Sequence, residues 1–252
     1  MIERVLGKLD IPDSCMLDKR VYKKLFEENG RLDATDKKAL REDVLEIRWL
    51  YTLKPATINI PRYTDELRDY GEVAVLVVNL SNAKRHARIA EFMQRTIPYP
   101  LITIFSCESQ SAICLADKRI NQADKEKWVV EHSFDTGWLD LDNLSLNQQQ
   151  FLDDLSLQKL SFLNFYSLYQ DLCDRVVALN CAAYSGLYIL KLDERNDQQR
   201  RIEMLDQIRK LEQAQSELRN RLKNEKQIGR QVALNTEMHQ LTTQLDNLKQ
   251  IL

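Results

Sequence analysis

Apolar and polar residues follow two successive patterns along the chain, and the first of them predicts a mixed domain. Two short helical patterns come first: DKRVYKKLFEEN (18–29), with Asp18 as its cap and Asn29-Gly30 as its stop, and LDATDKKALREDV. The runs EIRWLYTL and ATINI follow, and their β-branched and aromatic residues predict extended chain. This part of the chain therefore begins with helices that lead into a sheet.

The next segments predict the centre of that sheet. GEVAVLVVNL (71–80) is a continuous apolar run that is typical of a central strand. The amphipathic helix NAKRHARIAEFMQRTI and the strand PYPLITIFSCE come after it, and QSAICLAD and KWVVEHSF add further strands. Residues 1–146 are thus predicted to be an α+β head, a mixed sheet with helices covering one face.

From Asn147 onward the pattern is helical only. Residues 147–192 are crowded with aromatic and aliphatic side chains, which predicts a helical connector packed on the head or on a second copy. Residues 193–252 are rich in Gln, Glu, Arg and Leu, with no Pro and one Gly, a composition typical of a long exposed helix. The third domain is therefore predicted to be one C-terminal coiled-coil helix.

Apolar residues in this tail recur in alternating steps of four and three, which is the seam of a coiled coil. The first half of the seam consists of Met204, Ile208, Leu211, Gln215, Leu218 and Leu222, and the second half of Leu234, Met238, Leu241, Leu245, Leu248 and Leu252. The halves are offset by two residues, so Glu225 and Gly229 occupy seam positions between them. The break is open to three interpretations: a tolerated stutter, an αα-hairpin turn, or a contact site for a partner.

Four residues at the break support the interpretation as a contact site for a partner. Lys223, Lys226 and Arg230 surround the break, and the missing side chain of Gly229 would let another backbone approach closely. We therefore expect a docking site for a partner protein, or for a second copy, at these four residues.

Composition predicts a folded, cytoplasmic protein with reduced cysteines. Apolar residues make up 44% of the chain, which is enough for a buried core. No run of 18 apolar residues occurs, and the N-terminus lacks the apolar stretch of a signal peptide, so we expect a cytoplasmic protein without a membrane contact. The five cysteines contain no CxxC pair, which favours reduced, buried thiols over disulfides or a zinc ribbon.

Charge gives weak support for nucleic-acid binding. The formal net charge is −2, so the chain is not a polycation. One basic cluster, Lys84, Arg85, Arg88 and Arg95, lies on the central helix, and another surrounds the seam break. Acidic residues interrupt both clusters, so solvated helix faces are the simpler interpretation.

No catalytic pattern stands out. A restriction-type nuclease needs an acidic triplet with a lysine on adjoining strands, and only partial substitutes occur: Asp43 with Glu46 and Arg48, and Asp124 with Glu126. A thiol and imidazole pair, Cys107 or Cys114 with His132, follows no spacing rule, and no phosphate-binding loop is present. We predict no catalytic residue, no metal site and no cofactor.

Four segments carry a family resemblance that covers almost the whole chain: IPDSCMLDKRVYKKLF, IRWLYTLKPATINI, TIPYPLITIF and NEKQIGRQVALNTEMHQLTTQLDNL. They resemble domain-of-unknown-function family 4391. The resemblance implies a setting, namely mobile prokaryotic defence loci that also encode helicases and DNA methyltransferases, but no reaction and no site residues. The expected function is a non-enzymatic adaptor of an antiphage system, assembling with itself or with such a helicase or methyltransferase. The alternative is a DNA-engaging effector or degenerate nuclease of the same system.

Overall fold

The computed structural model describes residues 2–124, 128–190 and 195–252, with the side chains of 195 and 196 outside the description. Its main sheet has the strand order β1-β2-β5-β6-β7-β8, with β9 added beside β7, and β3 pairs with β4 separately. The strands are β1 (Met16–Arg20), β2 (Val44–Leu53), β3 (Tyr63–Thr64), β4 (Asp69–Tyr70), β5 (Val73–Leu80), β6 (Leu101–Cys107), β7 (Gln110–Ile120), β8 (Trp128–Asp135) and β9 (Leu139–Asp140). The helices are α1 (Ile2–Leu9), α2 (Lys23–Asn29), α3 (Ala34–Glu42), α4 (Pro55–Ile58), α5 (His86–Thr96), α6 (Leu146–Asp154), α7 (Phe165–Ser185), α8 (Arg195–Asn224) and α9 (Ile228–Ile251). The predicted α+β class with a mixed sheet is confirmed.

The centre of the sheet is the strand, helix, strand unit that the sequence predicts. β5 and β6 run parallel, and α5 connects them, while the other pairs of neighbouring strands are antiparallel. Seven of the eight residues of β5 are buried, as its unbroken apolar run predicts. α5 thereby lies against the middle of the sheet, with Ile89, Phe92 and Met93 in the core.

Helices cover both faces of the sheet, and not one face as the sequence suggested. Asp117 and Lys118 are neighbours on β7 and point to opposite faces. Lys118 donates to the carbonyls of Ile97 and Tyr99, just beyond the end of α5. Asp117 accepts from Tyr70, whose ring packs on Tyr169 of α7. The first half of α7, which contains Tyr169, therefore covers the face opposite α5.

Two predictions near the N-terminus are wrong. The helix expected from Asp18 begins only at Lys23, because residues 16–20 form β1 along the edge of β2 and Asp18 has a left-handed φ of 46°. The segment expected to be extended after Pro55 is a single helical turn. Proline favours the first position of a helix, and the Thr57 hydroxyl accepts from the amide of Lys54 to close the turn. The predicted stop at Gly30 is confirmed.

The chain divides into two compact units, Met1–Val176 and Val177–Leu252, with the boundary inside α7. The first unit contains the sheet, α6 and the first half of α7, where Phe165, Leu168 and Leu172 are buried. The division predicted at 146/147 and 192/193 stays a prediction, since the two units reflect compactness alone.

The second unit decides whether the predicted C-terminal coiled-coil segment is one continuous helix or a hairpin. α8 ends at Asn224 and α9 begins at Ile228, so residues 225–227 form a turn. Gln215 donates to Thr242 at 3.0 Å, and Lys249 to Glu212 at 3.0 Å, which places the helices side by side and antiparallel. Of the three interpretations of the seam break, the αα-hairpin is the one that the structure has. Within the described residues 195–252, the structure shows this hairpin in place of a single long coiled-coil helix.

Candidate functional site

The turn of the hairpin is built around Glu225. Its side chain accepts hydrogen bonds from the amides of Lys226 and Gln227, at 2.8 and 2.9 Å, and the side chain of Gln231 donates to its carbonyl. The two backbone hydrogen bonds lower the pKa of the Glu225 carboxyl. Glu225 therefore stands in place of a seam leucine because its carboxylate binds amides that the turn leaves without helical partners.

Eight of the twelve predicted seam residues, the leucines and the methionine from Leu211 to Leu248, lie on the facing sides of the hairpin. Leu218, Leu234 and Leu245 are buried. The other five, Leu211, Leu222, Met238, Leu241 and Leu248, are half-buried. The four-and-three spacing of these apolar residues therefore places them in the contact between α8 and α9.

The proposed partner-binding residues lie at the exposed tip of the hairpin. Lys223, Lys226, Gly229 and Arg230 are all exposed, and Arg230 is 4.0 Å from Glu225. Nothing lies within 4 Å of the point where a Gly229 side chain would begin, so the gap there is open. Two apolar side chains next to them are also exposed, Ile228 at 78% and Val232 at 61%.

The basic cluster predicted for the central helix begins in a turn before α5, at Lys84 and Arg85, and is largely neutralised within the head. Arg85 binds Asp43 and Glu42, and Arg88 binds Asp33 and Asp36. Arg95 lies within 3.4 Å of both Asp36 and Glu91, while Lys84 stays exposed. Three of the four cations that could have faced phosphates therefore serve the packing of α5 on neighbouring helices.

The partial nuclease residues do not form a cation site. Asp43 is held by Arg85, and Arg48 pairs with both Glu46 and Asp18. Each of these carboxylates thus faces an arginine. Of the second pair, Glu126 lies outside the described residues.

A group of three potential ligands does occur elsewhere: His86, Cys114 and Asp135. One donor atom from each lies within 4.8 Å of the other two, and within the described ranges no other group of three His, Cys, Asp or Glu meets this condition. Cys114 stands opposite Asp135 in the β7–β8 register, and α5 begins with His86. Cys114 belongs to this group, whereas Cys107 and His132 do not, so the imidazole near Cys114 is that of His86.

The protonation of this group does not suit nucleophilic catalysis. His86 Nε2 lies 2.8 Å from Asp135 Oδ2. Burial alone would lower the pKa of His86, but the hydrogen bond to Asp135 and its charge raise it above the usual value. Burial and the Asp135 carboxylate both raise the pKa of the Cys114 thiol, whereas a nucleophilic cysteine needs a lowered one.

Sequence reasoning missed this group because its members come from three elements that are 28 and 21 residues apart. Had the β7–β8 register been known, it would have placed Cys114 opposite Asp135. The approach of His86 depends on how α5 packs across the sheet, which no local pattern specifies.

Comparison with known proteins gives one match. The family described as "Domain of unknown function (DUF4391)" matches residues 9–245. No curated protein and no solved structure matches the chain. None of the helices in the described ranges combines the length and apolar character needed to cross a membrane. Because the family match extends through both compact units, the chain belongs to the DUF4391 family.

Proposed function

We propose that this protein is a non-enzymatic assembly subunit of a prokaryotic antiphage defence system, and that the tip of its helical hairpin binds a partner protein. The observation that carries the proposal is the exposed pair Ile228 and Val232. The two residues are four apart on α9 and so share one face of the helix. Large apolar side chains that stand together in solvent often mark an interaction site.

The charge around this pair indicates the kind of partner. Lys223, Lys226 and Arg230 are exposed beside it, and the Glu225 carboxylate, 4.0 Å from Arg230, accepts from backbone amides of the turn. A complementary surface would be an apolar groove edged by carboxylates. The family setting points to a helicase or DNA methyltransferase encoded in the same locus.

The alternative, a DNA-engaging effector or degenerate nuclease, has less support. Arg85, Arg88 and Arg95 are engaged by carboxylates of the head, and so are largely neutralised as phosphate ligands. Asp43 and Glu46 are occupied by arginines in the same way.

The test is copurification of the full chain with each helicase or methyltransferase encoded beside it. Replacing Ile228 and Val232 with Ser should weaken binding at least about tenfold. Each substitution removes a large apolar side chain that would be buried in the complex. The control is Ile251→Ser, at an apolar residue that is as exposed as Val232 and lies at the other end of α9. Equal binding by the double variant, the control and the parent would exclude the hairpin tip as the docking site.

Charge is tested separately. Lys226→Glu with Arg230→Glu should slow association and reduce its dependence on salt, and Lys84→Glu, an exposed lysine on the head, serves as the control. If the two charge reversals left both quantities unchanged, the partner surface would not be acidic.

A further inference from the structure

The group of His86, Cys114 and Asp135 brings three potential metal ligands together around one imidazole whose two nitrogens both face oxygen atoms. His86 Nδ1 lies 3.1 Å from the carbonyl oxygen of Ala83, which can only accept a hydrogen bond. Nδ1 therefore carries a proton. The other ring nitrogen, Nε2, faces a carboxylate oxygen of Asp135 at 2.8 Å. Two acceptors at this distance repel each other unless a proton or a metal ion lies between them.

The surroundings are those of a metal-binding histidine. A ligating histidine usually donates its other ring N–H to a carbonyl or carboxylate, which fixes the ring and makes the ligating nitrogen more basic. Here Ala83 supplies that carbonyl, and Trp138 Nε1 donates to the same oxygen at 3.2 Å. The rings of Trp138 and Phe105 stand edge-on to the imidazole, at 4.9 and 6.0 Å. The imidazole is thus held in place by an apolar wall and one carbonyl.

The third member of the group completes a mixed donor set. Cys114 is buried, and its Sγ lies within 4.8 Å of the donor atoms of both His86 and Asp135. The Asp135 side chain is 29% exposed and that of His86 14%, so an ion can enter from the aspartate side. Sulfur, nitrogen and oxygen donors together suit Zn²⁺, whereas Mg²⁺ and Ca²⁺ prefer oxygen alone.

We propose that His86 Nε2, Cys114 Sγ and an Asp135 carboxylate oxygen bind one Zn²⁺ ion, with solvent in the fourth position. Tetrahedral zinc with bonds of about 2.0 to 2.3 Å holds its donors about 3.3 to 3.8 Å apart. The donors here lie between 2.8 and 4.8 Å from one another. Rotations of the three side chains would bring the donors to this spacing as the ion binds.

The charges and protons balance at such a site. Zn²⁺ displaces the proton on His86 Nε2 and the proton on Cys114 Sγ, and both leave to solvent. A divalent ion with one thiolate, one carboxylate and one neutral imidazole is electrically neutral. Neutrality matters because the thiol is buried, where an uncompensated charge is costly.

The experiment uses the full chain, freed of metal with a chelator and titrated with Co²⁺ and then with Zn²⁺. We expect one equivalent of Co²⁺ to produce a thiolate-to-cobalt charge-transfer band and the intense visible bands of tetrahedral cobalt. Zn²⁺ should abolish both by displacement. In weakly buffered solution, a pH indicator should report up to two protons released for each Zn²⁺ ion bound.

Three variants assign the ligands. Cys114→Ser should remove the charge-transfer band, and His86→Gln and Asp135→Asn should each weaken Co²⁺ binding at least about tenfold. The control is Cys107→Ser, a buried thiol on the neighbouring strand β6 that lies outside the group, and it should keep the band. Circular dichroism checks that each variant is folded.

Two results would overturn the proposal: no saturable binding near one equivalent by the parent chain, or a charge-transfer band that survives in Cys114→Ser. If Cys114→Ser does not fold, the titration of the parent beside Cys107→Ser decides the question.

Discussion

At the scale of single residues, Lys118 is the most unusual side chain of the sheet. It is fully buried, and its ammonium group donates to two backbone carbonyls, at 2.8 and 2.9 Å. Burial lowers its pKa from 10.5 to about 7. Between these values the unfolded chain binds a proton that the folded chain does not, so stability rises with pH across this window.

We expect Lys118→Met to remove this pH dependence of the unfolding free energy. Below pH 7 the parent carries the full cost of burying a charge, and the variant does not. As pH rises from 7 to 9, the unfolding free energy of the parent should gain about 2 kcal/mol relative to the variant. Urea unfolding at several pH values measures the difference. Lys84→Met, at an exposed lysine, should show no such trend, and a flat difference for Lys118→Met would contradict the lowered pKa.

Tyr70 offers a second test at this scale. Its hydroxyl donates to the buried carboxylate of Asp117 at 2.9 Å, and Arg68 donates to the other oxygen at 3.0 Å. Tyr70→Phe removes a buried hydrogen bond to a charged group, so we expect a loss of about 2 kcal/mol in unfolding free energy. The control is Tyr63→Phe, whose hydroxyl binds the exposed Asp65, with an expected change below about 0.5 kcal/mol. Equal effects would show that the burial of Asp117 has no energetic consequence.

At the scale of elements, the hairpin should depend on its facing leucines. Leu245 is buried on α9, so Leu245→Ala leaves a cavity and should destabilise the hairpin by about 3 kcal/mol. Hydrogen exchange of the backbone amides should then quicken in α8 and α9. Val232→Ala, at a residue 61% exposed, should change exchange little. Unchanged protection in Leu245→Ala would mean that the two helices do not stabilise each other.

Gly229 tests the docking hypothesis on the same element. It has open space around it and lies in the first turn of α9, so Gly229→Leu should leave the hairpin folded. If a partner backbone approaches closely there, the added side chain should weaken the complex at least about tenfold. Gly229→Ala, which adds one carbon, is the matched smaller change and should have a smaller effect. A Leu variant that binds its partner as well as the parent would leave the turn with a structural role only.

At the scale of the whole molecule, the hairpin changes what is expected of the mass in solution. The apolar seams predict pairing of the tail, either with a second copy or with another segment, and in the structure they are packed between α8 and α9. We therefore expect light scattering to give the mass of one chain at micromolar concentration, for the parent and for Leu218→Asp alike. If the parent were a dimer and Leu218→Asp made it a monomer, the seams would pair between chains in an intermolecular coiled coil.

The sequence alone determined the elements whose signal is local. The apolar run of β5, the amphipathic spacing of α5, the stop at Gly30 and the four-and-three spacing of the tail are set by neighbouring residues along one strand or helix. Such patterns survive in any tertiary arrangement, because each reflects which side of the element is buried. The break at Glu225 and Gly229 was visible for the same reason.

Only the tertiary structure decided which parts meet. β1 replaced the start of a predicted helix because an edge of β2 was available to pair with it, and the tail folded back because α9 offered α8 an apolar face inside the same chain. The same holds for the chemistry of single residues. Arginines that looked free for phosphate face carboxylates from distant segments, and His86 meets Cys114 and Asp135 across the sheet. Contacts between residues far apart in sequence depend on packing and register, which local spacing does not encode.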